Sequence, residues 1–410
     1  MADWEVKPLG EVCTIKPPKS EARAKLADGD EVSFAPMEDL GIGVKYLQPH
    51  RTRHLGEVSG SYTYFADGDV LLAKITPCFE NGKLGVARGL TNGVGFGSSE
   101  YIVLRPAPTL DNEFLYYYLA RPTFLEEGAR TMTGAVGHKR VAKEFVESCL
   151  IPLPPLPEQR RIVAILDETF EAIATAKANT ERNLRNIREL CECELESLFA
   201  SGAAKWPERP LQQVAHITNG YAFKSTDFQA MAGVKSIKIT NVGVREFVDD
   251  PGNFLPTALA HRHAGVAVAE GSIVLALTRT LIAGGLKVAV VPVDFHGALL
   301  NQRVAAIQPR GSQLESPFLL AYLSTRRVTD YVKVRVNTLM QPNLSIADLR
   351  LLPVPLPAMA EQREVVAKLM ELEAHSKRLE SVYRRMLAAF DELKKSLLHE
   401  AFSGRLWGNQ

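Results

Sequence analysis

The feature that most limits how this chain can fold is that it repeats itself, with a period near 203 residues. Trp4 opens WEVKPLGEVCTI and Trp206 opens WPERPLQQVAHI, sharing the Trp, a Pro-Leu pair, a Val and an Ile. FADGDVLLAKIT (Phe65 to Thr76) corresponds to VAEGSIVLALTR (Val268 to Arg279). Each is an acidic-Gly turn followed by a β-branched or Leu-rich run, which predicts a turn entering a buried strand. EFLYYYLARP (Glu113 to Pro122) corresponds to PFLLAYLSTR (Pro317 to Arg326), both apolar on helical spacing. The strongest agreement comes last, where IPLPPLPEQRRIVAIL (Ile151 to Leu166) aligns without a gap on VPLPAMAEQREVVAKL (Val354 to Leu369). A duplicated unit is the simple reading.

Prolines ending at Pro157 and Pro357 cannot continue a preceding element, and they pre-set an extended entry into a helix. From about Glu158 to Ala200 and from about Ala360 to Phe402, Pro is absent and Glu, Lys, Arg, Leu and Ala dominate. The second stretch places Val365, Leu369, Leu372, Ser376, Leu379, Tyr383, Met386, Phe390, Leu393 and Leu397 on a 3-4 spacing, which predicts a coiled-coil seam. In the first, Leu166, Phe170 and Ile173 start a seam, Lys177 and Thr180 interrupt it, and Leu184, Ile187, Cys191, Leu195 and Leu198 resume it. A rod of roughly 43 residues is about 65 Å long and needs a partner for its apolar stripe. Two surface helices packed each on its own domain would need a wider apolar face. The predicted class is α+β: two globular α/β modules separated by two long helices that pair as an antiparallel coiled coil, in a pseudo-two-fold internal repeat. The boundaries are 1–152 and 204–355 for the modules, and 153–203 and 356–410 for the helical regions.

Composition narrows the function more by exclusion than by suggestion. With 46% hydrophobic and 23% charged residues the chain is ordinary for a globular protein. Apolar runs are broken well before the ~18 residues of a membrane span, and the start lacks the apolar core of a secretory signal. A cytoplasmic location is expected. Five scattered cysteines argue against a disulfide framework, and no zinc-ligand spacing is evident. The net charge of +1 is low for a stand-alone DNA binder, because phosphate neutralisation dominates affinity. Such a balance suits a chain whose partners supply much of the phosphate contact.

Motifs for chemistry are missing. There is no Gly-x-x-x-x-Gly-Lys-[Ser/Thr] loop for ATP, and no Asn-Pro-Pro-[Tyr/Phe] or Asp-Pro-Pro-Tyr tetrad of an amino-methylating enzyme. GVGFGS (Gly93 to Ser98) is Gly-rich without a following helix, so a strand or loop is expected there. His-Glu-x-x-His and Gly-x-Ser-x-Gly are absent, and His261-Arg262-His263 reads as a solvated loop. Neither catalytic nor metal-binding residues are expected, and recognition is favoured over catalysis.

The paired Pro-Leu-Pro-x-x-x-Glu-Gln boundaries, each leading into a long helix, resemble the specificity subunit of type I restriction–modification systems. The likeness extends over nearly the whole chain; the second copy departs from it with Ala358-Met359-Ala360 where the first has Pro155-Leu156-Pro157. This resemblance implies a non-catalytic chain in which each module is a target-recognition domain reading half of a bipartite double-stranded DNA target. The helices would fix the half-site spacing and dock two methyltransferase subunits, through Glu158, Gln159 and Arg160 and through Glu361, Gln362 and Arg363. Two motor-nuclease (restriction) subunits would complete the enzyme. S-adenosylmethionine, ATP and Mg2+ would belong to those partners, and no cofactor to this chain.

Polar residues near the strand motifs are the candidate DNA readers: Lys74, Lys83, Arg88, His138, Lys139 and Arg140 in the first module, Arg279, Lys287, Arg335, Gln341 and Asn343 in the second. Arg and Lys can bridge a guanine edge, Asn and Gln an adenine edge. Two rival classes stay open on the residues alone: a coiled-coil scaffold that binds only protein, and a self-contained DNA-modifying enzyme. The missing tetrad and the lack of room for another domain count against the second.

Overall fold

The computed structural model describes residues 4–135, 137–250, 252–336 and 343–403. The chain divides into two compact units, Met1–Glu181 with Arg384–Gln410, and Arg182–Tyr383. Each long helix therefore contributes one part to each unit.

In the first unit the FADGDVLLAKIT segment folds as expected. Gly68 makes the turn at φ +89°, a conformation open to glycine, and the strand Val70–Ala73 follows with every residue buried. That strand lies inside an antiparallel sheet in the order Cys13–Ile15, Tyr101–Pro106, Val70–Ala73, Leu84–Val86. A second sheet has the order Arg51–His54, Glu31–Ala35, Val94–Gly97, Thr63–Ala66, with one parallel pair, Glu31–Ala35 beside Val94–Gly97. The Gly-rich GVGFGS segment is this central strand. A Cβ at Gly95 would lie 2.2 Å from the Phe65 ring and one at Gly97 2.2 Å from the Ala35 carbonyl oxygen, so close packing requires these glycines.

The second unit repeats the first sheet strand by strand: Ala215–Asn219, Val304–Pro309, Ile273–Ala276, Val288–Val290, all antiparallel. Gly271 makes the matching turn at φ +75°. Its second sheet is smaller, with Phe254–Leu255, Val234–Ile237 and Leu299–Leu300. The Pro-Leu-Pro boundaries are short strands in both units: Leu150–Leu153 pairs antiparallel with Glu5–Pro8, and Pro353–Pro355 with Glu208–Pro210.

The apolar decapeptides form helices Asn112–Leu119 and Ser316–Leu323. The first is capped by Asp111, whose carboxylate accepts from the Glu113 and Phe114 N–H groups at 2.9 and 3.1 Å. Its inner face meets the end of the second long helix, where Phe402 packs edge-on against Phe114 at 4.9 Å and Tyr118 at 5.3 Å. The second unit does the same with Phe199, which lies 5.2 Å from Phe318 and 5.6 Å from Tyr322. Each core thus contains the start of one long helix, Ile162 and Leu166 or Val365, and the end of the other.

The long helices run Leu156–Ala203 and Met359–Ser403, 48 and 45 residues. Within the first unit Lys177 reaches Asp391 at 2.6 Å and Lys394 lies over Phe170 at 4.9 Å. Within the second, Arg188 reaches Glu380 at 3.5 Å and Cys191 Sγ is 2.9 Å from Ser376 Oγ. Rising numbers on one helix meet falling numbers on the other, so the pairing is antiparallel. Thr180, expected to interrupt the first seam, is buried, its hydroxyl donating to the Ala176 carbonyl at 2.8 Å. The second seam needs a correction: Leu379, Met386 and Leu393 are 45%, 40% and 45% exposed. They recur every seven residues at one edge of the stripe, and a single partner helix covers only its middle.

Candidate nucleic-acid interface

A cleft of 490 Å³ opens in the first unit where the turn after strand Cys13–Ile15, the end of strand Val70–Ala73 and the loop ending at Arg140 converge. Lys16, Lys19, Lys74, Arg140 and Lys143 line it together with Tyr62, Tyr64 and Tyr101. The loop is closed onto the sheet by backbone bonds: Arg140 N–H donates to Thr133 O at 2.8 Å, Thr76 N–H to Lys139 O at 2.9 Å, and Val141 N–H to Lys74 O at 2.9 Å.

Two of these cations, Lys74 and Lys19, are held by carbonyls, whereas Lys143 pairs with Glu147 at 2.6 Å. Lys74 Nζ donates to Ser99 O at 2.9 Å, and Lys19 Nζ to Ser59 O and Gly60 O at 3.1 and 2.7 Å. Such bonds fix the amine without neutralising it, and the Lys74 charge also acts on the neighbouring Glu100 carboxylate. Burial and then the neighbouring Lys16 charge push the Lys19 pKa below its usual value. Arg140 is different. Its Nε and Nη2 donate to the two Glu100 oxygens at 2.9 and 2.8 Å, and its Nη1 donates to His138 O at 3.1 Å. The bond from Arg140 holds the Glu100 carboxyl below the usual carboxylate range.

A cleft of 370 Å³ in the second unit is lined by Phe223, Phe228, Lys238, Thr240, Asn301, Gln302 and Arg303 among others, of which Gln302 stands 203 positions from Ser99 in the first cleft. The duplication also relates the strand ends beside the two clefts. Lys74 N–H donates to Glu100 O at 2.9 Å, and 203 positions on Leu277 N–H donates to Arg303 O at 2.8 Å. Isolated bridges Ile75 to Arg140 and Thr278 to Asn343 stand in the same relation. An acid and an arginine in one unit are thus replaced by an arginine and an asparagine in the other.

The remaining candidates divide by what their side chains already do. His138 and Lys139 are exposed on the Arg140 loop, and Arg279 and Asn343 are exposed beside the second cleft's strands. Arg88 is exposed, over the Tyr46 ring at 5.1 Å. Lys83 was expected as a loop reader, but its amine is part-buried and donates to Met37 O at 2.9 Å. Lys287 likewise donates to Ile239 O, and burial, then the Arg279 charge, lower its pKa. Arg335 lies on helix Arg326–Arg335, stacked over Tyr331 at 3.7 Å. Gln341 lies outside the described residues. His261-Arg262-His263, expected as a loop, instead ends the short helix Thr257–Arg262, with His263 against Tyr221 at 4.1 Å.

At the helix starts, Gln159 and Gln362 are fully buried. Gln159 accepts from Asp111 N–H at 2.8 Å and donates to Thr109 O and Pro154 O at 2.9 and 2.8 Å. Gln362 accepts from Glu315 N–H at 2.9 Å and donates to Gln313 O and Pro357 O at 2.8 and 3.0 Å. These amides clamp each long helix to its module and offer a partner nothing. Arg160, 3.8 Å from Asp111, and Arg363, 2.6 Å from Glu315, are exposed, as is Glu361. Glu158 pairs with Arg161 at 3.6 Å, and Glu361 accepts from the Trp206 indole at 2.8 Å.

The sequence reading missed Lys16, Lys19, Lys143, Glu100, Lys238, Gln302 and Arg303. The duplication carried the signal for two of them, since Glu100 and Arg303 occupy one register position 203 apart. Among the described residues no cluster of three His, Cys, Asp or Glu side chains could hold a metal ion, and no helix is long and apolar enough to cross a membrane.

Comparison with known proteins agrees with a doubled chain. Residues 1–183 and again 204–383 match the type I restriction modification DNA specificity domain. The chain therefore belongs to that family, whose members confer DNA sequence specificity and are not themselves catalytic. It is 26% identical to the type I restriction enzyme EcoAI specificity subunit of Escherichia coli, over 90% of this chain and 77% of that one. It is 24% identical to the MjaVIII specificity subunit of Methanocaldococcus jannaschii, over 98% and 93%. A chain in a solved structure described as the basis of complex assembly and conformational transition of the type I R-M system superposes with a TM-score of 0.77. That chain is 19% identical, with 99% of both chains covered, which shows the shared fold.

Proposed function

We propose that the two clefts each read one half of a bipartite DNA target, while the long helices set the half-site spacing and dock two methyltransferase subunits. On this reading residues 1–152 and 204–355 are the recognition segments, and 153–203 and 356–410 the spacing and docking segments. Two motor-nuclease subunits complete the restriction enzyme, which works on DNA in the cytoplasm. S-adenosylmethionine, ATP and Mg2+ sit on those partners.

One observation carries the proposal. Equivalent positions of a duplicated fold hold different side chains, Glu100 and Arg140 against Arg303 and Asn343, and Lys74 against the apolar Leu277. A protein that needed two identical surfaces would keep them alike; one that reads two different half-sites would not. The net charge of +1 fits a reader whose partners share the phosphate contacts.

The test is to co-express the chain with its methyltransferase subunits and map methylated adenines across a genome. A bipartite motif with a fixed spacer is expected, and scattered or absent methylation would sink the reading. Adding one turn to each long helix, ~5.4 Å, should lengthen the spacer by about one or two base pairs at ~3.4 Å each. Methylation at the original spacer alone would remove the ruler role.

A further inference from the structure

We propose that Arg140, set in place by Glu100, is a specificity-determining residue of the first unit that reads a guanine in the major groove. This rests on the DNA-reading function proposed above and names one of its contacts.

A guanidinium has five N–H groups in one plane. In Arg140 three are engaged: Nε and one on Nη2 with Glu100, and one on Nη1 with the His138 carbonyl. The two left over sit one on each Nη, the pair able to span two adjacent acceptors. Guanine presents such a pair, O6 and N7, on its major-groove edge. A phosphate contact needs only charge and reach, and an unsupported arginine supplies both. Fixing the plane with a bidentate carboxylate matters when a planar, two-point acceptor must be matched.

The backbone is held as firmly as the side chain. Arg140 bridges Thr133 across the loop and Ile75 just past strand Val70–Ala73, so the end of the loop is held on two sides. Gly134 and Gly137 have φ +128° and +81°. Glu100 is only 23% exposed, whereas Arg140 is 44% exposed, so the acid stands behind the arginine. Lys74, at the Glu100 backbone and fixed by Ser99 O, supplies charge without a planar fork. That suits a phosphate.

The experiment uses the full chain with its methyltransferase subunits and reads methylated sites genome-wide for wild type, Arg140→Ala, Arg140→Gln, Glu100→Gln and Lys74→Ala. For Arg140→Ala, discrimination at one G·C pair in one half-site should fall roughly ten- to hundredfold, with the other half-site unchanged. Arg140→Gln, which keeps a hydrogen bond for Glu100 and guards against a folding defect, should relax or shift preference toward A·T at that same pair. Glu100→Gln should relax it several-fold, roughly between wild type and Arg140→Ala. Lys74→Ala should lower methylation of all sites alike. An unchanged motif in the Arg140 variants, a uniform loss across all sites in them, or a wild-type target with no G·C pair overturns the assignment. Failure of the wild-type chain to direct any sequence-specific methylation counts against the proposed function instead.

Discussion

The two units share a backbone plan and differ in how charge is used within it. In the first, Lys45 reaches out of a loop to Glu113 on the decapeptide helix and to Asp167 on the long helix at 2.5 and 2.6 Å, and Tyr46 joins Glu113 at 2.5 Å. A second network joins the buried Asp69 to Arg105 at 2.7 Å, and Arg105 also pairs with Glu21. In the aligned blocks the second unit has Pro317 and Met370 in place of Glu113 and Asp167, and Ser272 and Gln308 in place of Asp69 and Arg105. Apolar packing and the glutamine clamp are common to both units, while the ion networks belong to one. What duplication preserved is the part that makes the fold; the charged additions were free to diverge with the surface they support.

The largest effect should come from the shared part. Phe402→Ala and Phe199→Ala each empty an aromatic site in a core and should cost about 3–5 kcal/mol. Denaturant melts should give similar losses, with hydrogen exchange rising in the first unit for one and the second for the other. Unequal losses would break the equivalence. Next, Gln159→Leu and Gln362→Leu strand a backbone N–H and two carbonyls each, and should cost about 2–3 kcal/mol. Reduced protection at Asp111 and Glu315 respectively would locate the damage. Lys45→Met should cost about 1–2 kcal/mol in the same melts, since Glu113 and Asp167 lose their shared cation and keep only the Tyr46 and Tyr117 hydroxyls.

The same network predicts an asymmetric pH response. Burial opposes ionisation of Glu113, but its bonds from Lys45 and Tyr46 outweigh that and hold its pKa below the ordinary 4.5. A depressed acid stabilises the fold above its unfolded pKa and loses that contribution as pH falls through the folded value. Burial also opposes the Lys45 charge, yet bonds from Asp167 and Glu113 raise its pKa above 10.5, so its contribution is lost as pH rises through the raised value. The first unit should therefore lose more stability than the second as pH falls below about 4.5. Melts of wild type and Lys45→Met that respond identically across this range would refute the mechanism. The smallest effect concerns affinity. Lys16→Ala should reduce the slope of log K against log salt by about one, and Thr218→Ala, at the matching position one residue past Ile217, should leave the slope unchanged. Equal changes in titrations over several salt concentrations would erase the distinction.

What could be read in the sequence follows a physical boundary. The turn at Gly68, the buried strand after it and both long helices rest on local periodicity, and they stand where the pattern put them. The fate of individual polar groups does not. Gln159 looks like surface recognition in a Glu-Gln-Arg string, yet it is sealed against Thr109 and Pro154 by contacts that only the folded chain brings together. Lys83 resembles Lys74 in the sequence until Met37 O claims its amine. Glu100 and Arg140 are 40 positions apart, and no spacing rule joins them. Leu379, Met386 and Leu393 kept the expected period but not the expected burial, because periodicity gives the direction of a stripe and not the number of neighbours that cover it.

The exchange of helix ends has a consequence for how the protein is made. The first module leaves the ribosome about half a chain before Leu398 and Phe402, which belong to its core. Until they arrive, Phe114 and Tyr118 face a vacancy of aromatic size. The nascent first half must either wait partly open or borrow the similar Phe199 end already synthesised. Translation order thereby makes the last turns of the second long helix the closing step for the module that was started first.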